Sequence, residues 1–132
     1  MAKTNLILAD DHAIVRAGIR NALSGMIDIE IVAEVDSGST LFDTLRSTAA
    51  DCLLIDVTMP NFEPFAAIKE IREQFPCMKI LIVSAYDDDI YVQGLLQLGA
   101  NGYHLKDQPL SDLRIAVQRV LDHGMSATLK TR

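Results

Sequence analysis

The carboxylate pair Asp10-Asp11, the single carboxylate Asp56, the hydroxyl of Ser84 and the ammonium of Lys106 each follow directly on a short, largely apolar run. Together these groups suit phosphoryl chemistry. Three carboxylates in one cleft repel and raise one another's pKa unless a cation compensates. Mg2+ suits a site with few carboxylates, several waters and a phosphate oxygen. A lysine supplies a mobile point charge for phosphate, and a serine hydroxyl can donate to a phosphoryl oxygen or accept from a neighbour. A carboxylate beside such a metal is a competent nucleophile, and phosphoryl transfer depends mostly on positioning and charge neutralisation. Taken singly, each residue has a plainer account. Asp10-Asp11 and Ser84 would cap helices, Asp56 before Met59-Pro60 would form a turn, and Lys106 would be one more solvated lysine.

The elements that carry these residues decide between the accounts. Leu6–Ala9, Cys52–Ile55 and Ile80–Val83 are continuous apolar runs of strand length, as in strands buried on both faces of a parallel sheet. In Ile29–Val35, Glu30 and Glu34 alternate with apolar neighbours, which predicts an edge strand, and the half-polar Gly102–Leu105 predicts the other edge. Between the runs the apolar period becomes helical: Val15, Ile19, Leu23 and Met26; Leu41 and Leu45; Phe65, Ile68, Ile71 and Phe75; Tyr91, Leu95 and Leu98; Leu110, Leu113, Val117, Val120 and Leu121. Gly25, Gly99, Gly124 and Pro76 stand where helices should stop. Five strand–helix units predict an α/β, doubly wound, flavodoxin-like (βα)5 fold, its five-stranded parallel sheet in the order 2-1-3-4-5. Ligands of such sheets bind beyond the carboxyl ends of the strands, where the winding reverses. Strands one, three, four and five end in Asp10-Asp11, Asp56, Ser84 and Lys106, so one rim would gather all five groups. Independent caps have no reason to choose those four ends, and Asp56 reads as a reagent.

Composition narrows the class. The 132 residues suit one domain, and 49% hydrophobic with 23% charged residues is ordinary for a soluble globular protein. Twelve basic against eighteen acidic residues, a net charge of −6 with no basic stripe, argue against this segment holding nucleic acid by itself. Cys52 and Cys77 form neither a disulfide scaffold nor a zinc site. No run has the roughly 20 apolar residues of a membrane span, so a reduced cytoplasmic location is the expectation. His12, His104 and His123 lack metal-ligand spacing and read as structural or exposed.

The segments LILADDH at 6–12, LLIDVTMP at 53–60, ILIVSAYDD at 80–88 and GANGYHLKD at 99–107 resemble the receiver domain of two-component response regulators. ADDHAIVRAGIRNAL and GANGYHLKDQPLSDLRIAVQRVL look most like the NarL/FixJ (LuxR-type) transcriptional regulators. The resemblance implies that Asp56 accepts a phosphoryl group from a sensor histidine kinase. It implies that Asp11 and Asp56 ligate Mg2+ through their side chains, with the Thr58 backbone carbonyl as a third ligand and Asp10 acting through a bound water. Ser84 and Lys106 would hold the phosphoryl oxygens. Tyr103 would be the aromatic switch, following Ser84 as it moves toward the phosphate. The domain would span residues 1–124, with 125–132 a tail or the start of a linker. NarL/FixJ-type regulators continue into a helix-turn-helix DNA-binding domain, so DNA contact would belong to a part absent here, and phosphorylation could bring a homodimer.

Two departures stand out. Where the family has glycine four residues after the proline of its Met-Pro turn, Pro64 stands here, placed to open a helix. Lys106 is followed by Asp107 where many relatives carry proline. Two other readings compete. A receiver-like interaction module that never takes phosphate draws on Pro64 alone. A haloacid-dehalogenase-like phosphatase would use Asp87-Asp88-Asp89 for metal, but its Asp-x-Asp signature meets Thr58 at the second position, and three aspartates at a helix start are favourable in any case. The receiver reading makes this a phosphoacceptor with self-phosphotransfer and autodephosphorylation chemistry rather than an enzyme.

Overall fold

The apolar runs become strands and the helical periods become helices in a computed structural model that describes residues 3–123. In chain order the elements are β1 (Thr4–Ala9), α1 (Ala13–Leu23), β2 (Ile29–Val35), α2 (Gly38–Ser47), β3 (Cys52–Ile55), α3 (Pro64–Gln74), β4 (Lys79–Ser84), α4 (Asp89–Leu98), β5 (Gly102–Leu105) and α5 (Leu110–His123). The strands are parallel throughout and lie in the order β2-β1-β3-β4-β5. The predicted fold and both edge strands are therefore observed. On edge strand β2 the register against β1 slips by one between Leu6 and Ile7, leaving Val32 as the extra residue.

Strand alternation divides the core in two. Ile7, Ala9, Leu53, Ile55, Ile80, Ile82 and Tyr103 face the side covered by α2, α3 and α4. Leu6, Leu8, Cys52, Leu54, Leu81 and Val83 face α1 and α5. The central strands β1 and β3 are buried on both faces, which is why their sequences show no polar alternation. Cys52 is a buried hydrophobe there, its thiol pushed up to about 12 by burial first and by Asp51 second.

Local signals set the start of α3 and both ends of α4. Pro64 occupies the first turn of α3, after Glu63, whose carboxylate accepts from the Ala66 amide. Asp88 caps α4 by accepting from the Tyr91 amide, the structural use of the 87–89 aspartates. Gly99 ends α4 at φ +130°, a backbone that side chains rarely adopt. Three helical assignments are corrected. Helix α1 stops at Leu23, with Ser24 at its cap and Gly25 just beyond as expected, but Met26 lies outside the helix and packs on the core from the following turn. Phe65 and Leu110 are 36% and 45% exposed at the margins of their helices, because the buried stripes of α3 and α5 run through Ala67, Ile68 and Ile71 and through Leu113, Ala116, Val117 and Val120. Phe75 lies just past α3. Gly124 and the 125–132 tail lie outside the described residues.

Candidate functional site

Asp10 is the first residue beyond β1, Asp56 the first beyond β3 and Lys106 the first beyond β5, while Ser84 ends β4. Adjacent parallel strands therefore deliver all four to one rim. The Asp56 amide donates to Ala9 O and the Lys106 amide to Ser84 O, continuing the ladder one step into the site. Asp10 and Asp56 are almost wholly buried. Buried carboxylates need donors, and each has one oxygen satisfied locally. The His12 amide donates to Asp10 Oδ1 at 2.8 Å. The Thr58 amide and hydroxyl donate to Asp56 Oδ1 at 3.0 and 2.8 Å.

The other oxygens face Lys106. Its ammonium donates to Asp56 Oδ2 at 2.9 Å and lies 3.1 Å from Asp10 Oδ2. Burial alone would lower the Lys106 pKa, but Asp56 and then Asp10 outweigh it and the pKa is raised, so the lysine is a full cation at neutral pH. One cation shared between two carboxylates leaves the rim negative, and Asp11 adds a third. Carboxylate oxygens of Asp10, Asp11 and Asp56 and a nitrogen of His12 all lie within 4.8 Å of one another. Asp10 Oδ2 and Asp11 Oδ1 are buried and accept no well-directed hydrogen bond, the 3.1 Å approaches of Lys106 and of His12 Nδ1 notwithstanding. Converging anionic oxygens that lack donors are what a hard divalent cation requires, so the residues present fit Mg2+.

Ser84 and Tyr103 make their hydrogen bonds to the β4–α4 connection. The Tyr86 amide donates to Ser84 Oγ at 3.1 Å, and the Tyr103 hydroxyl donates to Tyr86 O at 2.6 Å. One residue of that connection is thus tied at both ends. Tyr103 is fully buried although it lies on an edge strand, since α4 covers the inner face of β5. Burial raises its pKa, and the contact with Ser84 opposes the rise.

Two participants escape the sequence reading. His12, three-fifths exposed, brings Nδ1 to 3.1 Å from Asp11 and 3.4 Å from Asp10. Its position right after the aspartate pair was the available signal. Arg16, one turn into α1, donates to the Asp10 carbonyl at 2.6 Å and to Glu34 at 3.1 Å, fixing the strand end against the helix. Across the site, the Gly38 amide donates to Pro60 O, and a Cβ at Gly38 would sit 1.9 Å from Asn61 O. Only glycine allows that approach, which holds the Met59-Pro60 turn with Asn61 in the left-handed region at φ +57°. The Lys106–Asp107 bond is trans, as are the other peptide bonds of the described residues.

A doubly wound sheet with an acidic pocket, a shared lysine and a tethered serine–tyrosine pair defines the receiver class of signalling domain. Residues 6–118 match the response regulator receiver domain family, and the chain belongs to it. It is 39% identical over 116 residues to the oxygen regulatory protein NreC of Staphylococcus haemolyticus, covering 87% of this chain and 54% of that protein. It is 30% identical over 122 residues to the transcriptional regulatory protein DegU of Brevibacillus brevis, covering 92% of this chain and 52% of that one. The chain thus spans about half the length of these relatives. The isolated receiver domain of RcsB from Salmonella enterica serovar Typhimurium, solved with the phosphomimetic BeF3−, superposes with a TM-score of 0.88 at 26% identity over 97% of this chain and 96% of that one. The non-phosphorylated RcsB receiver of Escherichia coli gives 0.86 at 29%, over 94% and 96%. Among the described residues no helix is long and apolar enough to cross a membrane.

Proposed function

We propose that Asp56 is the phosphoacceptor of a signalling switch that takes its phosphoryl group from a sensor histidine kinase. The observation that carries this is the pairing of Asp56 Oδ2 with Lys106 on a rim whose buried carboxylate oxygens still lack donors. In the transfer, an Asp56 oxygen bonds to phosphorus while the bond from phosphorus to the donor's imidazole nitrogen breaks. The imidazole keeps the electron pair and takes up a proton. Hydrolysis later restores the carboxylate and releases inorganic phosphate. The side chains of Asp11 and Asp56 and the Thr58 carbonyl would hold Mg2+, with Asp10 acting through water, and the ion would supply charge neutralisation for the phosphoryl oxygens. Lys106 leaves Asp10 for the new anionic group, and the Ser84 hydroxyl turns to a phosphoryl oxygen.

That turn releases the Tyr86 amide from Ser84, so the β4–α4 connection and Tyr103 are the parts that move with phosphorylation. Couplings between sites are typically about 1–3 kcal/mol, which suffices for a partial population shift. The receiver spans residues 1–124, with 125–132 a C-terminal tail or the start of a linker. Relatives named as transcriptional regulatory proteins support a transcriptional output through a DNA-binding part, and homodimerisation on phosphorylation and a cytoplasmic location belong to the same proposal. The chemistry of this chain itself is self-phosphotransfer and autodephosphorylation.

Intact mass after incubation with Mg2+ and a small-molecule phosphodonor tests the reading. One added phosphoryl group is expected, absent in Asp56→Asn and absent without Mg2+. No addition, under conditions that label another receiver, overturns it in favour of a phosphate-independent interaction module.

A further inference from the structure

On the α1–α5 side of the sheet, a groove of about 340 Å3 opens between the first half of α1 and the start of α5. Ile14, Val15, Ile19 and Leu110 give it an apolar wall, and the volume falls in the range of small-molecule sites. The strand alternation that turns Tyr103 toward α4 turns His104 the other way, into this wall. His104 is only 1% exposed, and neither ring nitrogen has a hydrogen-bond partner in the protein. A neutral imidazole carries one donor and one acceptor, and buried polar groups in folded proteins nearly always have partners. Burial lowers the His104 pKa against the opposing pull of Asp112 and Asp107, so the ring is neutral at pH 7.

We propose that this groove binds a small uncharged molecule with an apolar body and one hydroxyl-type group that pairs with His104. The charges around it select against ions. Lys106, the cation in the wall, is committed to Asp10 and Asp56, and Asp107 and Asp112 act on the same ring, so a carboxylate would meet repulsion without a counter-charge. An ammonium would meet Lys106 and an apolar lining. Entry lies past Ile14 and Leu110, which are 87% and 45% exposed. Gly18 faces Leu110 across this entry, a Cβ there lying in ordinary contact 3.5 Å from Leu110 Cδ1. Since Lys106 lines the groove and also holds Asp10 and Asp56, occupancy acts as a second input to the rim. That coupling rests on the phosphoacceptor reading above, whereas binding does not.

Titration of the isotope-labelled chain with phenol, benzene and benzoate, followed by NMR at the His104 ring and at the Ile14 and Leu110 methyls, tests the site. Phenol is expected to shift these signals saturably, about tenfold more tightly than benzene because it alone satisfies the imidazole, with benzoate excluded. Gly18→Leu fills the groove and abolishes binding while favouring the helix over glycine. His104→Phe brings phenol down to the benzene level. Absence of saturable shifts, or unchanged phenol affinity in a folded His104→Phe, overturns the site. Phosphodonor labelling of Asp56 with and without saturating phenol then tests the coupling, with at least a twofold change in rate expected. Equal rates overturn the coupling. No labelling in either arm overturns the phosphoacceptor reading and the coupling with it, and leaves the binding result standing.

Discussion

Arg72 and Lys106 are cations held at opposite ends of the same strands, and they are held in opposite ways. Arg72, near the end of α3, sits where β4 and β5 begin. It donates to the carbonyls of Phe75, Pro76, Met78 and Gly99 and to Asn101 Oδ1, which also accepts from the Ile80 amide. Every acceptor is uncharged, and the planar guanidinium fits them as a fork. Burial lowers its pKa, yet an arginine stays protonated at any ordinary pH. Lys106, where β5 ends, faces two carboxylates with a third nearby, and leaves oxygens without donors. A cation whose surroundings are complete locks helices to strands. A cation that leaves a net negative charge leaves converging oxygens suited to another cation.

If that contrast holds, the largest stability loss falls at Arg72. Truncation in Arg72→Ala strands several carbonyls at once, and a loss of about 3 kcal/mol is expected in urea unfolding. Arg72→Lys recovers less than half, since a point charge cannot span two loops. Asp56 labelling persists in either variant while it is folded. A loss under about 1 kcal/mol would make Arg72 ornamental and break the comparison.

Lys106→Met leaves two buried carboxylates facing each other, and about 2 kcal/mol of destabilisation is expected at neutral pH. The pH dependence sharpens this. The folded Lys106 pKa is raised above 10.5, so its contribution is complete below 10.5 and is lost as pH climbs through the raised value. The gap between the two proteins should stay level from pH 7 to pH 10 and close above that. A gap that already narrows between pH 7 and pH 9 would contradict the ion-pair account.

Mg2+ supplies a smaller effect from the other direction. At ten times its dissociation constant, a ligand of the folded state alone adds about 1.4 kcal/mol. Unfolding with and without Mg2+ should show a gain of that order for the native chain and little for Asp11→Asn. In Lys106→Met the gain should be larger, because the carboxylates have lost their own cation. An equal gain in Asp11→Asn would place the ion elsewhere.

The same contrast explains how much of the molecule was legible in its sequence. β3 and β5 were readable because burial on one or both faces leaves a mark on local composition, and strand ends follow from strands. Asp10, Asp56, Ser84 and Lys106 were legible as a group for that reason. Arg72 was not, since its partners are backbone carbonyls, which no residue type announces. Phe65 and Leu110 keep helical spacing with their stripes yet stay partly exposed, and only the packed structure decides where a stripe ends. Gly38 carries a tertiary constraint, the carbonyl of Asn61, set by residues more than twenty positions away. The burial of Tyr103 was not legible either, because its edge strand is short and half polar, whereas α4 covers the face it uses.

His104 gives the smallest effect and extends the contrast to an uncharged group. Its folded pKa is lowered from the usual 6.5, by burial first and against Asp112 and Asp107. For a base the sign runs toward acid. Above 6.5 neither state holds the proton, and stability is unaffected. As pH falls below 6.5 the unfolded chain takes up a proton that the folded ring refuses, and stability is lost until the folded pKa is passed. His104→Phe lacks this loss. The stability of the native chain relative to the variant should therefore be level above about pH 7 and fall toward pH 5, by at most about 1.4 kcal/mol per pH unit. Carboxylates shared by the two proteins cancel in that difference, so unfolding at pH 7.5, 6.5 and 5.5 isolates the imidazole. Parallel curves would mean that the ring reaches water or a carboxylate on protonation, and its place as an unpartnered neutral group beside the apolar groove would fall with them.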